Sequence, residues 1–438
     1  MKLKIFQSQD GDCLLLESKD GRRILCDGGQ STSMREHVRG DLAKLRNARK
    51  RIDIAYVSHV DNDHITGVLA LLQDELEWRI HEHRVKNGRK NKPPAFPRPP
   101  EIGTVWHNAF RDQVKDVDVD EIESLLAAAV PTLNGTGVKN LEEAATQFGD
   151  LATAVKEAIK VSHLISPKLL NIPVNKLPGK TGAPKLLMLR KDQKAFSLGT
   201  LKITIVGPGS KELGDLNKGW NNWLRDNSNI VKEIRAQMKK RIDEFSAGTL
   251  NGQVFDLHDW NGIPPFKNVT IPNIASLMLM IEEDGKRLLL TGDGQQNFII
   301  DGLEKTGFLG DKGGLHLDVL KVQHHGSENN VDPAFCRRVS ANHYVFCGNG
   351  KSGNPEIDVI DLVFDSRLGM ASKLALAPEA KNRRFTFWFS TTSSTTKPGS
   401  KERKAFTKLE AHVEKLRKQA KGKLIVRFNK GTFTTLSI

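Results

Sequence analysis

The chain has 438 residues, 38% of them hydrophobic and 27% charged, with a formal net charge of +14 and a pI near 9.5. That is an ordinary globular composition, long enough to bury a sizeable core as one large domain with insertions or as two domains. No run approaches the roughly 18 uninterrupted apolar residues of a membrane span, and the start Met1-Lys2-Leu3-Lys4-Ile5-Phe6 alternates like a strand, so the sequence reads as a cytoplasmic chain with no membrane partner.

In chain order, residues 2–6, 13–17 and 23–26 predict short strands, with Asp20-Gly21 as a hairpin turn between the last two and Asp27-Gly28-Gly29 ending the third. Residues 52–57 form a run that is apolar except for Asp53, the pattern of a strand covered on both faces. Its end delivers His59-Val60-Asp61-Asn62-Asp63-His64, and residues 65–76 then predict a helix. Arg84, Lys86, Arg89, Lys90, Lys92 and Arg98 are interleaved with five prolines and predict a basic loop, with His81-Glu82-His83 on its surface. A strand at 102–106 precedes His107.

From 111 to 194 the pattern turns helical, with 119–130 and 141–161 apolar at helical spacing and a loop over 171–185. This predicts a helical insertion. Residues 201–206 return to strand, and 210–270 predict a second helical and loop insertion, including a basic helix at 230–245. The framework, 1–110 and 195–400, resumes with strand 276–281, the turn Asp284-Gly285, strand 287–290 and Thr291-Gly292-Asp293-Gly294. A strand at 317–323 carries His324-His325-Gly326-Ser327 at its end. The segment 401–438 predicts a basic helix and a strand that completes the core. Its stretch 401–430 holds eleven Lys and Arg against three Glu, and the helix has Phe406, Leu409, Val413 and Leu416 on one apolar face. Cys13, Cys26, Cys336 and Cys347 lie in apolar settings without paired spacing and read as buried free thiols.

The 59–64 cluster places four side chains of metal-ligand type within six residues where a strand stops. Carboxylates at this density repel one another and lose hydration, so they are tolerated when a cation neutralises them or water solvates them. A metal site is the favoured reading, with a solvated loop as its competitor. Asp293 is a further ligand or only a turn residue. Of His324 and His325, one acts as ligand and the other as an outer or substrate-facing group; His325, one step before the glycine, is favoured as the ligand. His107 either approaches the metals from a neighbouring strand end or packs in the interior. His343 reads as a core histidine, and Ser327 and Asn354 either touch substrate or serve in turns.

Gly11-Asp12-Cys13, Asp27-Gly28-Gly29, the 59–64 motif, 273–276, 289–293 and Lys321 to Ser327, taken in this order, resemble the metallo-β-lactamase fold superfamily. Within it, the sequence is most similar to the hydrolase domain of the ComEC-type DNA-uptake proteins and their soluble relatives, which carry Asp where many members have a second His and a late His-His-Gly-Ser. The likeness spans roughly 1–110 and 201–362. It implies an α/β fold, a metallo-β-lactamase-like αββα sandwich with helical insertions, and two divalent metal ions that share a hydroxide. His59 and Asp61 would bind one ion, Asp63, His64 and His325 the other, and Asp293 would bridge them, with Asp27 orienting a ligand from behind. Asp63 and His324 are read as the catalytic groups. Oxygen at Asp61 in place of imidazole favours manganese or magnesium without excluding zinc. Two departures stand out: Asn354-Pro355 where the family often has His-Pro, and a polar stretch around Asn273 where the superfamily has a single His, which leaves one pocket with fewer protein ligands. The chain has no channel region, so a transport role does not carry over.

The leading expectation is a metal-dependent phosphodiesterase or nuclease acting on DNA, with nucleic acid held by the basic segments, Lys415, Arg417 and Lys418 among them. A hydrolase of small esters, lactones or nucleotides is the alternative, since fold does not decide substrate. A third reading is a catalytically weak binding or regulatory module whose helical insertions contact a protein partner.

Overall fold

Short apolar runs punctuated by tight turns give an antiparallel meander of β1 (Lys2–Phe6), β2 (Leu14–Glu17) and β3 (Arg23–Cys26). Helix α1 (Arg39–Asn47) carries the chain over to β4 (Ile52–Tyr56), and helix α2 (Asn62–Lys86) leads on to β5 (Ile102–Trp106). β4 and β5 add in parallel, as connections long enough for a crossover allow. In the second sheet, β6 (Phe196–Leu198), β7 (Leu201–Gly207), β8 (Met278–Glu283) and β9 (Lys286–Leu290) are again an antiparallel meander. Four parallel strands continue it: β10 (Leu315–Lys321), β11 (Val339–Phe346), β12 (Phe385–Phe389) and β13 (Leu424–Phe428). Helices α3 (Gln296–Lys305), α4 (Pro333–Arg338), α5 (Ile357–Leu368) and α6 (Lys401–Gln419) lie between them in sequence. The last strand, β14 (Phe433–Ser437), returns to β1, so the first sheet runs β14-β1-β2-β3-β4-β5.

The computed structural model describes residues 1–88, 90, 92–108, 160–162, 164–167, 169–214 and 275–438. The expected helices at 119–130 and 230–245, nearly all of 141–161, most of the 210–270 insertion and Asn273 lie outside the described residues.

Three apolar clusters define the layers. Leu3, Ile5, Leu16 and Ile54 of the first sheet meet Ile203, Leu279, Leu288 and Val319 of the second between the sheets. Leu42, Ile65, Val68 and Leu72 of α1 and α2 cover the outer face of the first sheet. Leu303, Phe335, Val359, Phe406 and Val413 of α3 to α6 cover the outer face of the second. The result is the metallo-β-lactamase-type αββα sandwich, with apolar side chains of each sheet packed against the other sheet on one face and against helices on the other. Among the described residues, no helix is long and apolar enough to cross a membrane.

Several local expectations change. The helix expected at 65–76 begins at Asn62 and runs for 25 residues. It takes in His81, Glu82, His83, Arg84 and Lys86, which were expected in a loop; charged side chains solvate an exposed helical face as readily as a loop, and the prolines begin only at Pro93. The strand expected over 317–323 ends at Lys321, because the chain turns through left-handed backbone at His324 and His325. After α6 the C-terminal segment supplies two strands, one to each sheet. The four cysteines are buried and unpaired. His343 is half-buried on β11, where it accepts from Trp388 Nε1 at 3.2 Å.

Candidate metal centre

The carboxyl ends of parallel strands leave a crevice at one edge of an α/β sheet, and here the chemistry-bearing side chains collect there. Asp27 follows β3 and the 59–64 cluster follows β4. Asp293 follows β9, His324 and His325 follow β10, and the β1–β2 loop adds Asp12. Two bonds clamp the sheets beneath the site: Tyr56 Oη donates to Leu277 O, and Leu277 N donates to Ser58 O at 2.7 Å. The loop after β3 sits directly on α2, with Gly28 N donating to His64 O at 2.8 Å and Gly67 N to Gly29 O at 2.9 Å. A Cβ on Gly67 would lie 1.9 Å from Gly28 O, so this approach, which brings Asp27 against His64, requires glycine.

The four histidines are oriented alike. His64 Nδ1 lies 3.0 Å from Asp27 Oδ2, and His325 Nδ1 lies 3.1 Å from Asp12 Oδ1. His324 Nδ1 lies 2.6 Å from Asn330 Oδ1. Carboxylate and amide oxygens only accept, so each of these Nδ1 atoms carries the proton. Ser58 Oγ donates to Asp27 Oδ2 at 2.7 Å, which leaves it to accept from His59 Nδ1 at 3.0 Å. All four rings are thus held from behind at Nδ1 and turn Nε2 inward, the arrangement that fixes metal-binding imidazoles.

Around Asp293 the inward atoms form two sets. His64 Nε2 is 3.2 Å from His325 Nε2, 3.3 Å from Asp293 Oδ1 and 3.9 Å from Asp63 Oδ2. His325 Nε2 is 3.1 Å from Asp63 Oδ2 and 3.4 Å from Asp293 Oδ2. A tetrahedral ion with bonds of about 2.1 Å sets its ligand atoms about 3.4 Å apart, so this set fits one divalent cation. In the second set, His59 Nε2 is 3.5 Å from Asp61 Oδ2 and 3.7 Å from Asp293 Oδ2, and His324 Nε2 is also 3.7 Å from Asp293 Oδ2. Among the described residues, His59 Nε2 and Asp293 Oδ1 are buried without a hydrogen-bond partner, which a cation would satisfy.

The electrostatics agree with this fit. Burial acts to lower the His64 pKa, but Asp293, Asp63, Asp27 and Asp12 together push it well above the ordinary value; His325 is driven up in the same way by Asp293 and Asp12. Burial acts to raise Asp63, yet His64 and His325 pull it down to about 2. Asp293 is held well below its usual range against burial by His325, His64 and His59. The site therefore demands positive charge, which ring protons supply in the bare cluster and a cation supplies when it displaces them.

Asp12 and Lys321 escaped the sequence reading as site residues. Asp12, His64, Asp293 and His325 also converge within 4.8 Å, but Asp12 approaches the rings from their Nδ1 side. Its oxygens are engaged by His325 and by the Lys321 ammonium, so Asp63 is the carboxylate on the Nε2 side. Lys321 is 1% exposed; its Nζ donates to Gly292 O at 2.9 Å and lies 3.6 Å from Asp293 Oδ1. A lysine flanked by Val319, Leu320 and Val322 near the end of a strand was the available signal, since a lysine is almost never fully buried unless paired.

A cavity of about 470 Å³ opens over the centre, lined by Asp61, Asp63, Asp293, His324, Lys351 and Asn354 among others. Asn354 has a buried Oδ1 without a hydrogen-bond partner among the described residues. Ser327 is buried in the turn after β10, where its N donates to His324 O at 2.9 Å. His107 is buried at the end of β5 and is not among the cavity's lining residues; both its ring nitrogens lack a hydrogen-bond partner among the described residues, and burial lowers its pKa to about 4. Lys415, Arg417 and Lys418 are exposed on α6, with Arg417 paired to Glu414 at 2.7 Å.

The family model of the metallo-beta-lactamase superfamily matches residues 9–140, less than a third of the chain. The match takes in Asp12, Asp27 and the 59–64 cluster but not Asp293, His324 or His325. Among curated proteins, none matches the chain. The superfamily match and the converging ligand atoms together support a metal-dependent hydrolase.

Proposed function

We propose that this chain is a metal-dependent phosphodiesterase, a nuclease acting on DNA, with two divalent ions held by His59, Asp61, Asp63, His64, Asp293 and His325. One observation carries the reading: Asp293 lies between two ligand sets on the floor of an open cavity, with Oδ1 facing His64 Nε2 and Oδ2 facing His325 Nε2 of the first set and His59 and His324 Nε2 of the second. Such ions, when bound, lower the pKa of a coordinated water and stabilise charge on the oxygens of an in-line displacement. The chain's own part is to hold the geometry: Asp27, Ser58 and Asp12 fix the rings from behind, and Asp63 and Asp293 supply the balancing negative charge. His324, 30% exposed at the cavity with its Nδ1–H tied to Asn330, presents Nε2 as a proton acceptor toward the cavity and, once protonated there, hands that proton to the leaving oxygen. The oxygen ligand Asp61 shifts preference toward manganese or magnesium without excluding zinc.

Helix α6 supports a polyanionic substrate. Lys401, Lys404, Lys408, Lys415 and Lys418 are all exposed and recur at helical spacing opposite the buried Phe406, Leu409, Val413 and Leu416. A stripe of one sign over about 27 Å suits a chain of phosphates. The alternative of a small ester, lactone or nucleotide as substrate has its own support, because about 470 Å³ lies within the range of small-molecule pockets.

The deciding experiment incubates the protein with single- and double-stranded DNA, RNA, bis(p-nitrophenyl) phosphate, a lactone and a neutral ester, each with manganese, magnesium or zinc. DNA cleavage that Asp293→Asn reduces more than about a hundredfold, beyond the cost of losing an outer partner, is the expected result. Turnover of the lactone or ester alone favours the second reading, and full activity of Asp293→Asn removes the centre from the chemistry.

A further inference from the structure

We infer that Lys351 binds the substrate phosphate that flanks the reacting one, and that Asp10 holds the lysine at the cavity rim until substrate arrives. This rests on the phosphodiesterase reading above and adds a subsite to it.

Lys351 lines the same cavity as Asp61, Asp63, Asp293 and His324, and among the described lining residues it is the only lysine or arginine. Its Nζ lies 2.6 Å from Asp10 Oδ2, so the pair joins the β1–β2 loop of the first sheet to the β11–α5 loop of the second. The lysine side chain is 56% exposed, which places the pair at the solvent edge of the cavity. Gln30 Nε2 lies 3.3 Å from the same Asp10 oxygen, so Asp10 keeps a donor when the ammonium leaves.

The main chain beneath Lys351 is fixed on two sides. Glu356 N donates to Gly326 O at 3.0 Å, tying the loop to the turn that carries His325. Gly350, at φ 92°, packs so closely on α6 that a Cβ would lie 2.6 Å from Glu402 O. A rigid backbone with a long, flexible, exposed side chain gives an ammonium that can swing between two anions at fixed distance from the metal centre. An exposed ion pair of this kind is weak and is readily exchanged for a phosphate.

Charge supplies the reason for an exchange. Asp61, Asp63 and Asp293 face the cations, whereas Asp10 belongs to neither ligand set and has Lys351 as its counter-charge. In a nucleic acid, a phosphate at the centre places its neighbour beyond the ions, beside a carboxylate-lined wall. The ammonium at the rim is the group that makes that position favourable.

The test uses the full chain with manganese and two trinucleotides that differ only in the phosphate flanking the scissile bond, native in one and an uncharged methylphosphonate in the other; metal content and Tm are checked for every variant. The wild type is expected to favour the native trinucleotide by about tenfold in kcat/KM, through KM, as one charge-assisted hydrogen bond supplies. Lys351→Met should remove that preference, Lys351→Arg keep most of it, and Asp10→Asn lower KM because the competing carboxylate is gone. Opposite shifts in KM for Lys351→Met and Asp10→Asn support the inference. Shifts in the same direction, or a preference that survives in Lys351→Met, overturn it and leave the pair a structural tie. Failure of the wild type to cleave either trinucleotide overturns the phosphodiesterase reading itself, a separate outcome from cleavage with no flank preference.

Discussion

Asp27, His324 and His325 hold φ values of 57°, 46° and 56°, in the left-handed region that side chains other than glycine rarely adopt. Each such residue costs on the order of 1 kcal/mol, and three of them meet at one centre. Their alignment turns Nε2 of both histidines toward Asp293 while Nδ1 finds Asp12 or Asn330. His107 shows a different residue-scale effect. Its ring is buried and its pKa is lowered by burial to about 4, so the unfolded chain takes up a proton near pH 6.5 that the folded chain refuses until about pH 4. The stability held in the neutral ring is complete above about pH 6.5 and is lost as pH falls to about 4, amounting to about 3 kcal/mol. In urea unfolding across that window, His107→Phe should show a slope of stability against pH shallower by up to one proton. Identical slopes would show that the ring titrates normally in the folded chain.

At the scale of elements, α2 and α6 do different work. The first turn of α2 carries Asp63 and His64 into the centre, and Ile65, Val68 and Leu72 bury it on the first sheet; its last turns are largely exposed, with charged side chains beside the exposed Ile80 and Val85. Helix α6 buries Phe406, Leu409, Val413 and Leu416 beneath the stripe of lysines, and its N-terminal turn backs the Lys351 loop. Arg417, on the flank of the stripe, is engaged by Glu414. Replacing Lys404, Lys408 and Lys415 with Gln should therefore weaken DNA binding uniformly across sequences and reduce the slope of log K against log salt by about 0.7 to 0.9 for each phosphate no longer neutralised, whereas Arg417→Gln should change it less. Fluorescence anisotropy across a salt series reads both. A slope left unchanged by the triple substitution would make the stripe ordinary solvated surface.

At the scale of the molecule, the centre exists only where the sheets meet. Asp12, Asp27 and the 59–64 cluster come from the first sheet, Asp293, His324 and His325 from the second, and the chain closes by sending β13 and β14 to opposite sheets. Cations that bind ligands from both sheets bind the folded chain and not the unfolded one, so they must stabilise it. At a free metal concentration of 100 times Kd the gain is about 2.7 kcal/mol. Calorimetry should therefore find a Tm that falls on chelation and recovers with manganese, a response that Asp293→Asn loses. A Tm indifferent to metal would mean that the cluster is neutralised by its own protons and by Lys321 alone.

The sequence by itself determined the strand-end motifs, because each is local: a carboxylate or imidazole directly after an apolar run or a glycine turn is visible in a few residues, as at His59 to His64 and Asp293. It also announced the short strands alternating with helices and the basic, amphipathic α6, while the αββα layering was implied by the family resemblance. What tertiary structure alone decided was which of these residues meet. The span of α2 past Arg84, the split of the last two strands between sheets, and the turn at His324 and His325 depend on neighbours distant in the chain. Asp12 reaches His325 and Lys321 across more than 300 positions, and Asp10 reaches Lys351 across as many. Local pattern fixes a residue's element and face, but the charge on a buried group and the direction of a ring nitrogen depend on groups that only the packed sheets bring within 4 Å.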